Sequence, residues 1–346
     1  MSANQSKRNR ILLLGGIVAA VLAAAILVWR LSSPSDGFSP DGPHLVRVRI
    51  GYQPLASNLP VYVALQQGFF RSHGLDVELV RFETADTAAD AVLRGDVLTD
   101  FSLPFMVVLL REAAAPGSFL AYGFQLDTPE RSHEALIVPT ASTIATLSDL
   151  GNKSVGVFPG VAARAYLVEA LAAVGVPRDA VDARPLQVQL HLQSLRSGQI
   201  DALLGFEPAV TIATREGFAR IIEWGVYPRH IQNPFPVTMF VFNRAHCQSH
   251  SRECDAIVAA IRDAIAYIQR SPREANRSVV GYTAVTDPAV AEALNQPVNV
   301  LAQDVETSVL QRAVDWHQQV GLLNTQFSIT SILYTSAPPP ARGWRK

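Results

Sequence analysis

From residue 46 onward the chain alternates between two hydrophobic periods. Short apolar or alternating runs at Val46–Tyr52, 77–82 and 99–103 have the character of strands, and the stretches between them carry apolar residues three or four apart, the helical spacing. The pattern predicts a helix over 60–72, with Pro60 in its first turn and Gly74 as its stop. Thr84 is placed to cap a second helix running to Arg94, with Gly95 behind it. Pro104 opens a third helix, and strands follow at 119–125 and 135–138. A similar series restarts near Leu147. It gives a strand at 154–158, a helix at 162–173 stopped by Gly175, and strands at 181–185, 202–206, 219–224 and 238–243. The last third reads as helices at 254–270, 272–282, 287–294 and 305–320. Such alternation is the signature of βα-wound sheets.

Ahead of this lies an uninterrupted apolar run, residues 11–29, with Lys7, Arg8 and Arg10 before it and Arg30 after it. Nineteen helical residues span roughly 28 Å, about one hydrocarbon core. The distribution of basic residues puts the N-terminus in the cytoplasm and the rest of the chain outside. A cleaved signal peptide is the competing reading, but Ala23-Ala24-Ala25 is followed by Ile26-Leu27-Val28-Trp29, membrane core more than cleavage flank. A lipoprotein would need a cysteine after the run. The expectation is a cytoplasmic arm at 1–10, an uncleaved single-pass inner-membrane anchor at 11–30, a flexible Pro/Ser/Gly-rich linker at 31–44 and an unfolded tail at 337–346.

Composition narrows the function classes. With 29 basic and 30 acidic side chains the net charge is −1, which carries no nucleic-acid footprint. Lysine occurs only at Lys7, Lys153 and Lys346. No phosphate-binding Gly-rich loop, His-Glu-x-x-His or Gly-x-Ser-x-Gly motif is present, so no catalytic constellation is visible and no cofactor is implied. His246, Cys247, His250 and Cys254 stand close together, but their spacing does not match the usual zinc patterns. Outside the membrane, Cys247 and Cys254 are expected to form a disulfide, with free thiols and zinc as alternatives.

Four stretches in order resemble the aliphatic-sulfonate, nitrate and thiamine-pyrimidine-precursor group of ABC-transporter substrate-binding proteins. They are Ile50–Phe70 with 74–79, the helix-to-strand step ending Arg94-Gly95-Asp96, the turn Gly156-Val157-Phe158-Pro159-Gly160, and Gly198-Gln199-Ile200-Asp201-Ala202 leading to Phe206-Glu207-Pro208. The late helix with its Pro272 break fits the same group. The resemblance covers nearly all of residues 46–323. It implies a two-lobe, type II periplasmic-binding-protein clamshell of the α/β class, with lobe one at 45–133 and 237–336, lobe two at 134–236, and crossovers at 134–138 and 237–242. Hinge closure around a ligand would follow. It also implies a periplasmic globular part, a small-molecule ligand, an ABC permease as partner and a monomeric chain. A membrane-tethered sensor, or a small-molecule enzyme on the same fold, are the alternatives. Members that make the thiamine pyrimidine carry a cysteine cluster that this chain lacks.

Ligands of open α/β sheets bind beyond the carboxyl ends of the strands. That rule and the resemblance pick out Gln53, Ser57, Asn58, Ser102 and Pro104 on lobe one, and Phe158, Gly160, Val161, Ala162, Phe206 and Glu207 on lobe two. Ser57, Asn58 and Ser102 are also ordinary helix caps, and Glu207 could instead pair with Arg164 or Arg215. The group commonly has hydroxyl residues after the lobe-two glycine. Here Val161 and Ala162 follow Gly160, and Phe206 stands where Trp is usual. These departures favour an organic ligand with an apolar or aromatic body over a bare inorganic anion, with Tyr52, Phe158 and Phe206 as walls.

Overall fold

The computed structural model describes residues 45–335, which form two mixed sheets. The predicted arm, anchor, linker and tail lie outside the described residues. Among the described residues no helix is long and apolar enough to cross a membrane.

The first sheet contains β1 (Val46–Tyr52), β2 (Leu75–Arg81), β3 (Thr99–Pro104), β4 (Phe119–Asp127), β10 (Phe235–Asn243) and β11 (Val298–Leu301), in the order β11-β4-β10-β3-β1-β2. β1 runs parallel to β2 and β3, and β10 is inserted antiparallel between β3 and β4. The second contains β5 (Glu134–Pro139), β6 (Ser154–Val157), β7 (Asp182–Pro185), β8 (Ala202–Phe206) and β9 (Ala219–Trp224), in the order β7-β6-β8-β5-β9. Here β7, β6 and β8 run parallel, and β5 is inserted antiparallel between β8 and β9.

The chain changes sheets twice, between β4 and β5 through residues 128–133 and between β9 and β10 through residues 225–234. The expected crossovers at 134–138 and 237–242 are therefore displaced. Both segments are strands already inside a sheet, because their apolar residues are buried on arrival.

Eight helices position the cleft and its core: α1 (Leu59–Gln66), α2 (Ala85–Arg94), α3 (Phe105–Ala114), α4 (Val161–Ala173), α5 (Ala209–Arg215), α6 (Val226–His230), α7 (Ser251–Arg270) and α8 (Thr307–Gln319). α2 ends as its sequence predicts. Thr84 Oγ1 accepts from Thr87 N at 3.3 Å, and Gly95 takes a left-handed conformation. The expected helix over 60–72 is interrupted. Gly68, at φ 73°, ends α1 and starts a separate turn at Phe69–Ser72. Leu59–Ala64 are buried all round, which removes the one-sided pattern that would have marked the break. The expected helix at 272–282 is only a turn at Pro272–Asn276 followed by a 3-10 turn, and β11 is a strand where none was expected.

The two sheets share one continuous core. Leu103 and Phe124 of the first sheet belong to the same buried cluster as Val155, Val157 and Leu204 of the second. At its centre Tyr166 of α4 packs against Tyr227, Phe235 and Trp316, with ring centroids 5.3, 5.0 and 6.2 Å apart. Its hydroxyl accepts from Met106 N at 3.1 Å and lies 2.9 Å from His317 Nε2. His317 Nδ1 lies 2.6 Å from the Ala313 carbonyl, which can only accept, so Nδ1 donates and Nε2 accepts from Tyr166.

A second cluster packs α1 and α7 against β1 and β3. Cys247 and Cys254, both buried in it, are joined as a disulfide with Cα atoms 5.9 Å apart. His246 and Glu253 span the same loop at 2.8 Å.

Replacing both cysteines by Ala opens an eight-residue loop, and the protein is expected to lose about 2–3 kcal/mol in urea unfolding. An unchanged midpoint would show that the staple constrains nothing. A second expectation concerns pH. Burial pushes His317 down from 6.5 to about 4. Between those values the unfolded chain binds the proton and the fold does not, so this contribution is complete above pH 6.5 and lost as pH falls toward 4. Burial pushes Asp100 up to about 6, which acts in the opposite sense. The difference between wild type and His317→Gln isolates the histidine. It should shrink by about 3 kcal/mol as pH falls through that window. A difference that does not vary with pH would refute the neutral buried imidazole.

Candidate ligand-binding site

A cleft between the two sheets, with about 630 Å³ of non-protein space including its mouth, is lined by strand ends from both. Gln53 follows β1, and Ser102 and Pro104 close β3. Phe158 and Gly160–Ala162 follow β6, and Phe206 ends β8. With Ser57, nine of the eleven residues singled out by sequence are thus brought together.

The polar groups on the first side are tightly organised. Ser57 Oγ and Ser102 Oγ lie 2.7 Å apart. Gln125 Nε2 donates to the Ser57 carbonyl at 2.6 Å, while its oxygen accepts from Thr238 Oγ1 at 2.7 Å. Ser102 N donates to Asp100 Oδ1 at 2.9 Å, which opposes but does not overcome the upward push of burial on that carboxyl. Gln53 Oε1 is buried without a partner. Ser102 does not cap α3, because β3 extends through Pro104, whose fixed φ leads directly into the helix.

On the second side α4 begins at Gly160, whose φ of 109° is a glycine conformation, and it has no side-chain cap. Val161 is 54% exposed at the mouth. A Cβ at Gly160 would lie 3.5 Å from Asp86 Oδ2, so a carboxylate stands against the positive end of this helix. Asp86 is paired in turn with Arg111 at 3.3 Å. Among the described residues no Lys or Arg lines this cleft. Arg164 is solvent-exposed beside it. The walls are aromatic, with Phe158 edge-on to Phe206 at 6.2 Å. Tyr52 instead belongs to an outer chamber, about 1050 Å³ counting open solvent, which also has Arg81, Gln189 and Tyr282 and shares Leu55 and Phe206 with the inner one.

Two expectations are corrected. Glu207 does not face the cleft and pairs with neither Arg164 nor Arg215, which are both exposed. The carboxylate is buried. It accepts from Thr211 N at 3.0 Å, Thr211 Oγ1 at 2.6 Å and Asn295 N at 3.1 Å, so it caps α5 and ties that helix to a loop of the first lobe. Burial nevertheless raises its pKa. Asn58 also lies behind the wall. Its Nδ2 donates to the Gln53 carbonyl at 2.9 Å and its Oδ1 is buried without a partner.

Sequence reasoning missed Asp86, His133, Tyr166, Tyr227 and Thr238. His133 belongs to the first crossing and Tyr227 to α6 in the second. The polar run Arg131-Ser132-His133-Glu134 directly ahead of an apolar strand was the available signal for His133. Tyr227 OH is buried without a partner, and Glu134 beside it is raised by burial and by Asp127.

Glu207→Ala is expected to cost about 1–3 kcal/mol of folding stability, read by urea unfolding, through the donors it leaves unpaired. A variant of unchanged stability would return the carboxylate to a ligand role.

Comparison with known proteins places this geometry. Residues 56–275 match the family profile described as NMT1/THI5 like. A Haemophilus influenzae protein named for thiamine biosynthesis is 25% identical over 280 residues, covering 76% of this chain and 83% of that protein. The periplasmic aliphatic sulphonate binding protein SsuA of Escherichia coli superposes with a TM-score of 0.68 at 18% identity, covering 86% of this chain and 94% of that one. The alkanesulfonate-binding protein SsuA of Xanthomonas axonopodis pv. citri, bound to MOPS, gives 0.69 at 19% identity, covering 85% and 99%. The two-sheet architecture is that of the periplasmic binding proteins, and the chain belongs to the NMT1/THI5 like family.

Proposed function

We propose that this protein is an extracytoplasmic solute-binding protein, tethered to the inner membrane through residues 11–29, that delivers a small organic solute to an ABC permease. The observation that carries the reading is the cleft itself, with strand ends from two sheets, aromatic walls and a few convergent polar groups, the usual composition of a small-molecule pocket. The names of the two sulfonate-binding proteins and the family match support the class. The apolar run with Lys7, Arg8 and Arg10 ahead of it supports the tether.

The ligand class follows from charge. With no Lys or Arg among the described residues that line the inner cleft, Asp86 against the start of α4, and buried Asp100 nearby, an anion would surrender its hydration for little compensation. An uncharged or weakly charged ring between Phe158 and Phe206 fits better. Among the classes compatible with the resemblance, that favours the pyrimidine-like solutes over sulfonates and nitrate.

Mass spectrometry of the molecule that co-purifies with the full-length chain, followed by calorimetry, tests this. Phe158→Ala and Phe206→Ala should each weaken its binding by about 1–2 kcal/mol through lost ring contact. Tight binding of nitrate, or affinity indifferent to both rings, would overturn it.

A further inference from the structure

Resting on that reading of the cleft, we propose that His133 is its specificity-determining contact: the buried Asp127 carboxylate accepts a hydrogen bond from Nδ1–H, so that a bare Nε2 is presented to the ligand and selects a ring carrying an N–H donor.

Asp127 ends β4 and is fully buried. Its Oδ1 lies 3.0 Å from His133 Nδ1 and its Oδ2 accepts from Ser132 Oγ at 2.9 Å. A carboxylate can only accept, so the shared proton resides on Nδ1. The imidazole itself is 2% exposed and lines the cleft, with its centroid 5.2 Å from that of Phe206. Nε2 has no hydrogen-bond partner among the described residues. An imidazole whose far nitrogen is fixed by a carboxylate and whose near nitrogen is free has a defined tautomer and a defined orientation. Holding both a buried carboxylate and a histidine in this way is costly unless the free nitrogen is used.

The neighbours point the same way. Gln53 lines the same cleft, and its Oε1 is a second buried acceptor without a partner. Unpartnered acceptors on two residues that line one aromatic cleft call for a flat ligand with N–H donors, as an amino-substituted heteroaromatic ring provides, and the unpartnered Tyr227 hydroxyl of the same cleft can donate to a ring nitrogen. An oxyanion has only acceptors to offer His133 Nε2 and Gln53 Oε1. Because Asp127 and His133 bracket the first crossing, a ligand bonded to Nε2 is also bonded to the segment about which the lobes are joined.

The test uses the full chain with 4-aminopyrimidine and benzenesulfonate as probes, in wild type, His133→Phe, His133→Gln and Asp127→Asn. Nitrogen NMR of labelled histidine should show Nδ1 protonated and Nε2 bare in wild type at about neutral pH. Asp127→Asn should move the proton to Nε2, since the amide introduced there donates to Nδ1. Aminopyrimidine binding should fall by about tenfold or more in His133→Phe and in Asp127→Asn, and His133→Gln should recover part of it. Benzenesulfonate should bind wild type more weakly than aminopyrimidine and lose nothing in Asp127→Asn. A proton on Nε2 in wild type, or aminopyrimidine binding indifferent to both His133→Phe and Asp127→Asn, would overturn the assignment. If neither probe binds wild type, the small-ring reading of the cleft fails by itself. The tautomer then decides for or against the Asp127–His133 arrangement.

Discussion

The hydroxyl of Tyr166 is the interaction on which the relation of the two lobes depends. It belongs to α4 of the second lobe, yet both its hydrogen bonds are made outside that lobe, to the start of α3 and to His317 of α8. A buried hydroxyl that loses its partners costs more than the bonds themselves contribute. The lobes are therefore held at one separation by a directional contact as well as by their common core. Tyr166 also lies on the cleft floor, next to Tyr227 of the second crossing. The rim is held by weaker contacts, such as Gln189 to Glu83 at 2.6 Å, where both side chains are exposed. Buried directional contacts thus lie at Tyr166 and exposed ones at the mouth, a distribution compatible with the hinge closure that the proposed function calls for.

The same burial that fixes the floor decides its electrostatics. Asp100, Glu134 and Glu207 are enclosed around the site, and all three are pushed toward the protonated form by loss of water. Each is nonetheless bonded to backbone N–H groups, which keeps the groups oriented. Apart from Asp86, which pairs with Arg111, the acidic groups of this region are held by hydrogen bonds to backbone N–H groups. Arginines of this protein instead sit at the surface in exposed pairs such as Arg47 with Glu78 and Arg184 with Asp182, which contribute little to stability. On the proposed function, a cleft built this way would discriminate through hydrogen-bond direction and ring shape.

Much of this was legible in sequence, because strand ends are legible. The rule that ligands gather beyond the carboxyl ends of parallel strands found the Gln53, Ser102, Phe158 and Phe206 positions without any knowledge of contacts. It failed one residue further along. After Phe206 the chain turns through the cis Glu207–Pro208 bond, and the Glu207 carboxylate points back at α5. Periodicity locates a residue along a strand but says nothing of where its side chain points once the strand has ended. Asn58 was lost for the same reason, since its amide is consumed by the loop it terminates. His133 and Tyr227 were missed for a different one. They reach the cleft from the two crossings, and where a crossing runs is set by long-range packing that no local pattern encodes.

Leu55 and Phe206 form the partition between the inner and outer chambers. The resemblance leads one to expect the broader indole at position 206, and a phenyl ring closes less of that boundary. Arg81, the cation of the outer chamber, is already paired with Glu83 at 2.9 Å, and Glu83 in turn reaches Gln189 across the mouth. Any acidic group entering there would have to compete with Glu83, and in doing so would loosen a rim contact. The outer chamber is therefore better suited to passage than to retention. On the proposed function, a ligand held in the inner slot would bond to groups that are buried and already oriented, and the partition and the rim would set how readily it comes and goes.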